Sequence, residues 1–169
     1  MTATIFRHKG DFDEDTRKNR ALRFIEAYAH NIASDLTLTY PDEKWYSPNC
    51  VFFDTTNITY IGAKAIKTWM LELFSPFDRV GLEALSFQVV DESTDGKADY
   101  TVNAEFMIAY FLKGDPVPIF APRIFVFVVR NTESDEGYDG LQYTDVKLYW
   151  DTDLVKSEAK RRMAMKLDK

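Results

Sequence analysis

Three residues of this sequence are the best placed to do chemistry: an arginine, an aspartate and a tyrosine. Arg123 interrupts Ile119-Phe120-Ala121-Pro122-Arg123-Ile124-Phe125-Val126-Phe127, an otherwise apolar strand-like run. Burying an arginine is costly unless a carboxylate or a ligand anion compensates it. Arg123 is therefore expected either to hold an anionic or carbonyl oxygen, or to sit at a bulge beside Pro122, salt-bridged at an edge or a dimer face. Asp54 ends the run Cys50-Val51-Phe52-Phe53-Asp54. Strand alternation puts it on the face of Phe52, opposite Val51 and Phe53. A carboxylate in apolar surroundings resists ionisation, and its pKa rises toward values useful for moving a proton. The alternative is a strand-end aspartate that caps the turn Thr55-Thr56-Asn57. Tyr28 lies about 60° from the centre of an apolar helical stripe. It can point inward and donate a hydrogen bond to a ligand oxygen, or be a core tyrosine whose hydroxyl reaches solvent or backbone. His30 falls about 140° from the same centre, on the polar face with Arg23 and Glu26.

The elements that must position these residues follow from periodicity. Residues 1–14 read as an arm, loose over its first ten or so residues, and Asp11, Asp13, Glu14 and Asp15 then form an acidic cluster suited to a helix N-terminus. Leu22, Ile25, Ala29, Ile32 and Leu36 then recur at helical spacing. Residues 37–48 predict a short second helix or turn. A strand over 50–54 turns through Thr55-Thr56-Asn57 into Ile58-Thr59-Tyr60-Ile61, a hairpin that stops at Gly62. Ile66, Trp69, Met70, Leu73 and Phe74 predict an amphipathic helix that ends near Ser75-Pro76. Strands are predicted over 82–92, 99–112, 118–130 and 141–150, separated by Thr94-Asp95-Gly96, Lys113-Gly114-Asp115-Pro116 and an acidic loop over 131–140. Asp151 more naturally caps a last helix than does chemistry.

Composition limits the function classes. The chain has 169 residues, 46% hydrophobic and 28% charged, the balance of one soluble globular domain rather than a disordered chain. Thirteen Phe, nine Tyr and three Trp are enough both to fill a core and to line an apolar pocket. The formal charge of −6 argues against nucleic-acid binding. One cysteine, Cys50, and two histidines offer neither an internal disulfide nor a Cys/His metal cluster. The N-terminal residues lack the apolar stretch of a signal peptide and no run is long enough for a membrane span, so a cytoplasmic location is expected. No glycine-rich phosphate loop, nucleophile elbow or nucleotide fingerprint is present, and cofactor-free, metal-free chemistry is expected. Lys156, Lys160, Arg161, Arg162 and Lys166 make the last helix basic, which reads as a solvated face on an acidic body.

Helices first and strands after indicate an α+β fold: a curved antiparallel sheet wrapped on N-terminal helices, forming a cone with an internal pocket, plus a C-terminal helix. This order resembles the nuclear transport factor 2-like superfamily, which includes SnoaL-like cyclases, ketosteroid isomerase and scytalone dehydratase. Trp45-Tyr46-Ser47-Pro48-Asn49-Cys50-Val51-Phe52-Phe53-Asp54 looks like that group's aromatic-x-x-Asp/Asn-Ala/Cys-Val-x-x-Asp strand. Gly62-Ala63-Lys64-Ala65-Ile66 is similar to its Gly-x-x-Ala-Ile helix start, and Val146-Lys147-Leu148-Tyr149-Trp150-Asp151-Thr152 to its final strand. The likeness implies a domain over 15–155, with 156–169 as a helical tail.

By this resemblance Asp54 occupies the position of the carboxylate base of ketosteroid isomerase. Tyr28 lies near that enzyme's oxyanion tyrosine, and Arg123 matches its oxyanion aspartic acid. The resemblance then implies proton transfer by Asp54 on a polyketide- or terpenoid-like small molecule, with Arg123 and Tyr28 stabilising a substrate oxygen, in an isomerisation, cyclisation or dehydration. Leu148 and Phe125 stand where SnoaL-like cyclases and limonene epoxide hydrolase carry aspartates, so neither of those two mechanisms transfers. Phe52, Trp69, Phe106, Tyr110, Phe125 and Trp150 are the expected substrate-binding walls, with core packing as their alternative role. An outward sheet face carrying Met107 and Phe111 makes a homodimer through the sheet plausible. The competing reading is a non-catalytic small-molecule-binding or dimerising domain of the same fold.

Overall fold

The computed structural model describes residues 2–132 and 136–167, with side chains to Met165. Residues 133–135 of the expected acidic loop and the side chain of Lys166 lie outside the described residues. The elements in chain order are β1 (Thr4–Lys9), α1 (Arg20–Ser34), β2 (Tyr46–Asp54), β3 (Ile58–Ile61), α2 (Ala63–Phe74), β4 (Phe77–Asp91), β5 (Asp99–Leu112), β6 (Ile119–Asn131), β7 (Leu141–Trp150) and α3 (Thr152–Leu167). Short 3-10 turns stand at Thr16–Lys18 and Asp42–Lys44.

Period-two runs of β-branched and aromatic residues form the long strands β4 to β7, which zigzag antiparallel. The full order is β1-β4-β5-β6-β7-β2-β3 in one sheet of seven strands. One junction departs from the antiparallel expectation: β2 runs parallel to β7, with Phe52 opposite Val146 and Asp54 opposite Leu148. A hairpin cannot make such a pair, so β3, α2 and the strands β4 to β6 intervene between its two strands. Register shifts in β4 between Ala84 and Ser86, and between β6 and β7 at Val128/Val129, bend the sheet. Its inner face and the apolar sides of α1 and α2 share one core.

Local chemistry fixes the helices. Asn19 caps α1, its side-chain oxygen accepting from the Leu22 N–H at 3.2 Å. Leu22, Ile25, Ala29 and Ile32 of the expected stripe are buried, while Leu36 lies past the helix end. Gly62, at φ +86°, turns β3 into α2, and a Cβ there would lie 2.9 Å from the Pro48 carbonyl oxygen. Asp151 caps α3, accepting from the Asp153 and Leu154 N–H groups. α3 runs unbroken across the expected 155/156 boundary, with Val155 and Ala159 buried. No helix is long and apolar enough to cross a membrane among the described residues.

Three sequence expectations are corrected. The arm is not loose: residues 4–9 are strand β1, paired from Thr4↔Asp91 to Lys9↔Ser86 along the edge of β4. Only Phe6 and His8 of that strand are even partly buried, too weak an alternation to announce it, and its hydrogen bonds come from a distant strand. The acidic cluster does not open α1. Asp13 instead accepts from the Thr16 and Asp15 N–H groups at the 3-10 turn upstream. Glu26 leaves the polar face of Arg23 and His30 for the interior, because Arg17 folds over it and donates to both carboxylate oxygens.

Cys50 sits on β2 with no exposed surface, and burial pushes its thiol up to about 12. Native protein at pH 8 is expected to resist alkylation by iodoacetamide for hours, whereas urea-unfolded protein reacts within minutes. Rapid modification of the native chain, read by mass spectrometry, would contradict this packing.

Candidate functional site

The inner face of β6 reads Ile119, Ala121, Arg123, Phe125, Phe127 and Val129, with Phe120, Pro122 and Ile124 outward. Register with β5 is continuous from Ile119 through Arg130, so Arg123 stands at no bulge and is delivered to the interior by alternation alone. Its residue exposure is 6%. Nε and Nη2 are buried with no hydrogen-bond partner, and no carboxylate lies within ion-pairing distance among the described residues. The guanidinium carbon stacks 3.8 Å from the centre of the Trp150 ring and lies 5.1 Å from that of Tyr110. Burial lowers the Arg123 pKa from its ordinary value, and Tyr110, Asp54 and Tyr28 oppose that shift. Arginine stays charged under such pressure.

A cavity of about 50 Å³ opens beside it, walled by Tyr28, Phe52, Trp69, Tyr110, Arg123 and Phe125 together with aliphatic side chains of α2, β4 and β5. Four of the six expected wall residues therefore line this space. Phe106 and Trp150 do not. Phe106 also faces inward, but it packs further along β5 against Phe12, Phe87 and Phe125. Trp150 lies between Arg123 and Asp54.

Asp54 is 3% exposed and turned inward on the Phe52 face of β2. One carboxylate oxygen accepts from Trp150 Nε1 at 3.0 Å and the other from the Thr56 hydroxyl at 2.8 Å. Its backbone carbonyl accepts from the Asn57 N–H, closing the β2–β3 turn. The carboxylate thus helps build that turn and lies just outside the cavity wall.

Tyr28 reaches the cavity from α1. Its hydroxyl shares a 2.5 Å hydrogen bond with the Tyr46 hydroxyl, and both approach the Met70 sulfur, at 3.8 and 3.7 Å. Burial raises the Tyr28 pKa far above the ordinary phenol value, the bond to Tyr46 only partly offsetting it. Sequence reasoning passed over Tyr46 as a site residue, although an available signal was its parity with Cys50, Phe52 and Asp54 along β2. Pro48 and Asn49, both exposed, interrupt that alternation and hide it. The Tyr110 hydroxyl is buried and unpartnered near Arg123, so one end of an apolar cavity gathers several donors free to meet an oxygen.

On the outer face, Phe111 is half covered by the Arg79 guanidinium, 3.7 Å from its ring centre. The apolar surface there is carried chiefly by Phe120, Ile124 and Tyr149.

An unpaired buried cation costs stability. Arg123→Met is expected to raise unfolding stability by about 1–4 kcal/mol, lifting the Tm by about 2–4 °C per kcal/mol. A fall in Tm, read by calorimetry, would assign Arg123 a structural role. The buried phenols give a second expectation. Tyr28, Tyr40, Tyr46, Tyr110 and Tyr143 all have raised pKa values, so above about pH 10 the unfolded chain releases protons that the native one keeps. Stability is then full below pH 10 and falls as pH rises above it. Ultraviolet titration of native protein is expected to leave these five phenols protonated until the fold itself is lost.

No protein-family profile matches the chain, and neither does any curated protein. Among solved structures it is similar to a putative scytalone dehydratase from Novosphingobium aromaticivorans, with a TM-score of 0.54 and 11% identity over 83% of this chain and 89% of that one. It is also similar to a protein from Catenulispora acidiphila, with a TM-score of 0.52 and 16% identity over 85% of this chain and 97% of that one. At such identities the likeness is one of fold. With helices α1 and α2 against the inner face of a bent sheet, and β2 parallel to β7, the chain has the α+β fold of these solved structures, the fold that the sequence resemblance implied.

Proposed function

We propose that the protein binds a small, largely apolar molecule through a carbonyl, enolate or carboxylate oxygen held by Arg123. On it the chain carries out cofactor-independent proton transfer: an isomerisation, cyclisation or dehydration of a polyketide- or terpenoid-like compound in the cytoplasm. The observation that carries this reading is the pair of buried, unpartnered Arg123 nitrogens at the end of an apolar cavity.

The chemistry follows from the donors. A fixed guanidinium in a dry site stabilises negative charge as it develops on a substrate oxygen, and it needs no reorganisation to do so. Tyr28 stays a neutral donor because its pKa is raised, and its bond to Tyr46 restrains the hydroxyl. Asp54 is the proton carrier in this reading. Its Oδ2 meets substrate once the Thr56 hydroxyl releases it, while Oδ1 stays on the Trp150 indole. The cavity, at about 50 Å³, is far smaller than the ~300–1,000 Å³ of common ligand pockets, so substrate enters by displacing side chains. Trp69, stacked on Tyr60, and Leu73 are the partly buried wall residues of α2.

The engagement of both Asp54 oxygens favours a second reading, a binding domain without turnover. The exposed Phe120, at 58%, with Ile124 and Tyr149, supports pairing of two copies through their sheets under either reading.

Isothermal titration with compounds captured from host extract separates the two. Arg123→Met is expected to weaken binding at least tenfold, the scale of a lost charge-assisted hydrogen bond. Asp54→Asn is expected to keep affinity within threefold while lowering turnover by about 10²–10⁴. Unchanged turnover in Asp54→Asn would remove Asp54 as the proton carrier, and the absence of turnover in the native protein would leave the binding domain as the function.

A further inference from the structure

Asp54, Trp150 and Arg123 stand on three neighbouring strands, β2, β7 and β6, and all three side chains turn to the inner face. Trp150 pairs with Arg123 in the β6–β7 register, and Asp54 pairs with Leu148 in the β2–β7 register. The indole therefore occupies the lane between a carboxylate and a guanidinium. Its Nε1–H donates to Asp54 Oδ1 at 3.0 Å, and its π face lies 3.8 Å from the guanidinium carbon. Arg123 responds to the charge of Asp54, yet the two form no ion pair.

Tryptophan suits that place for a physical reason. Its N–H is a donor without an acceptor, so it can satisfy a carboxylate oxygen while adding no charge. Its ring face attracts a cation. One uncharged side chain thus serves two opposite charges with different parts of itself and keeps them apart. Its position is fixed at both ends: the Trp150 carbonyl accepts from the Thr55 hydroxyl, the residue after Asp54, and α3 begins two residues on.

We infer that Trp150 is a positioning residue that insulates Arg123 from Asp54, holding the guanidinium unpaired for an external oxyanion. Without the indole, carboxylate and guanidinium would close on each other, and the oxyanion site would be occupied by the protein's own side chain. The insulation itself stands on the geometry, while its use for a ligand rests on the proposed role of Arg123.

The test has a ligand-free and a ligand-binding arm. In urea unfolding, a double-mutant cycle between Asp54→Asn and Arg123→Met measures the coupling of the two charges. The coupling is expected to change the unfolding constant less than threefold with Trp150 present and at least tenfold in the Trp150→Ala background. Trp150→Leu takes its place if the alanine variant does not fold. Equal coupling in both backgrounds overturns the inference. In the second arm, 2-naphthoate is the probe. Trp150→Ala is expected to lose at least tenfold in affinity, and Trp150→Ala with Asp54→Asn to return to within threefold of the native value. A double variant that stays as weak as Trp150→Ala overturns the inference, because loss of packing, not internal pairing, then explains the defect. If the native protein binds no naphthoate, the ligand role of Arg123 fails, and the cycle alone decides the insulation.

Discussion

A guanidinium held in an apolar cone without a carboxylate on it sets the terms for the rest of this molecule. Removing an arginine from water is costly, and the ordinary remedy is an ion pair. Asp54 stands on the other side of Trp150, whose indole donates to the carboxylate and stacks on the guanidinium, and the two charges form no ion pair. What the guanidinium has instead is the π face of Trp150 and the nearby ring of Tyr110. These soften the cost of burial without occupying all its donors. The site's polarity is therefore concentrated at one end of the cavity, facing walls of Phe52, Phe125 and aliphatic side chains.

That arrangement depends on the sheet more than on any single contact. The parallel pairing of β2 with β7 is what brings Asp54 beside the strand that carries Trp150, and β6 follows on its other side. Hairpins alone would have left β2 at a distance from β6. The helices complete the enclosure: α1 contributes Tyr28 and α2 contributes Trp69 and Met70. Tyr28 gains a defined hydroxyl position only because Tyr46, at the start of β2, meets it there. Each functional side chain is thus borne by regular structure, which fixes its direction better than a loop would.

Much of the local structure was legible in the sequence. The strands over 99–112 and 141–150 coincide with β5 and β7, because β5 alternates strictly and turn residues bound both strands. The inward phase of Phe52 and Asp54 on β2, and of Ile108 and Tyr110 on β5, was readable for the same reason. β1 was not readable, because an edge strand that buries little carries little periodicity and owes its hydrogen bonds to β4. β4 also begins earlier than expected, at Phe77, directly after Pro76. Glu26 went unrecognised as interior because its burial depends on Arg17, nine residues away and outside the helix.

For the site the division is sharper. Sequence by itself determined which side chains are unusual and which face each occupies: an arginine in an apolar strand, an aspartate in phase with Phe52, a tyrosine beside a helical stripe. Those are properties of one strand or one helix, governed by a period of two or of about 3.6 residues. Only the tertiary structure decided who meets whom. It set Phe106 behind Phe125 rather than in the cavity wall, moved Trp150 from wall to wedge, and paired Tyr28 with Tyr46. Above all it left Arg123 and Asp54 as separated neighbours. Pairings between strands are set by register and crossover, and nothing in the local periodicity of either strand records them.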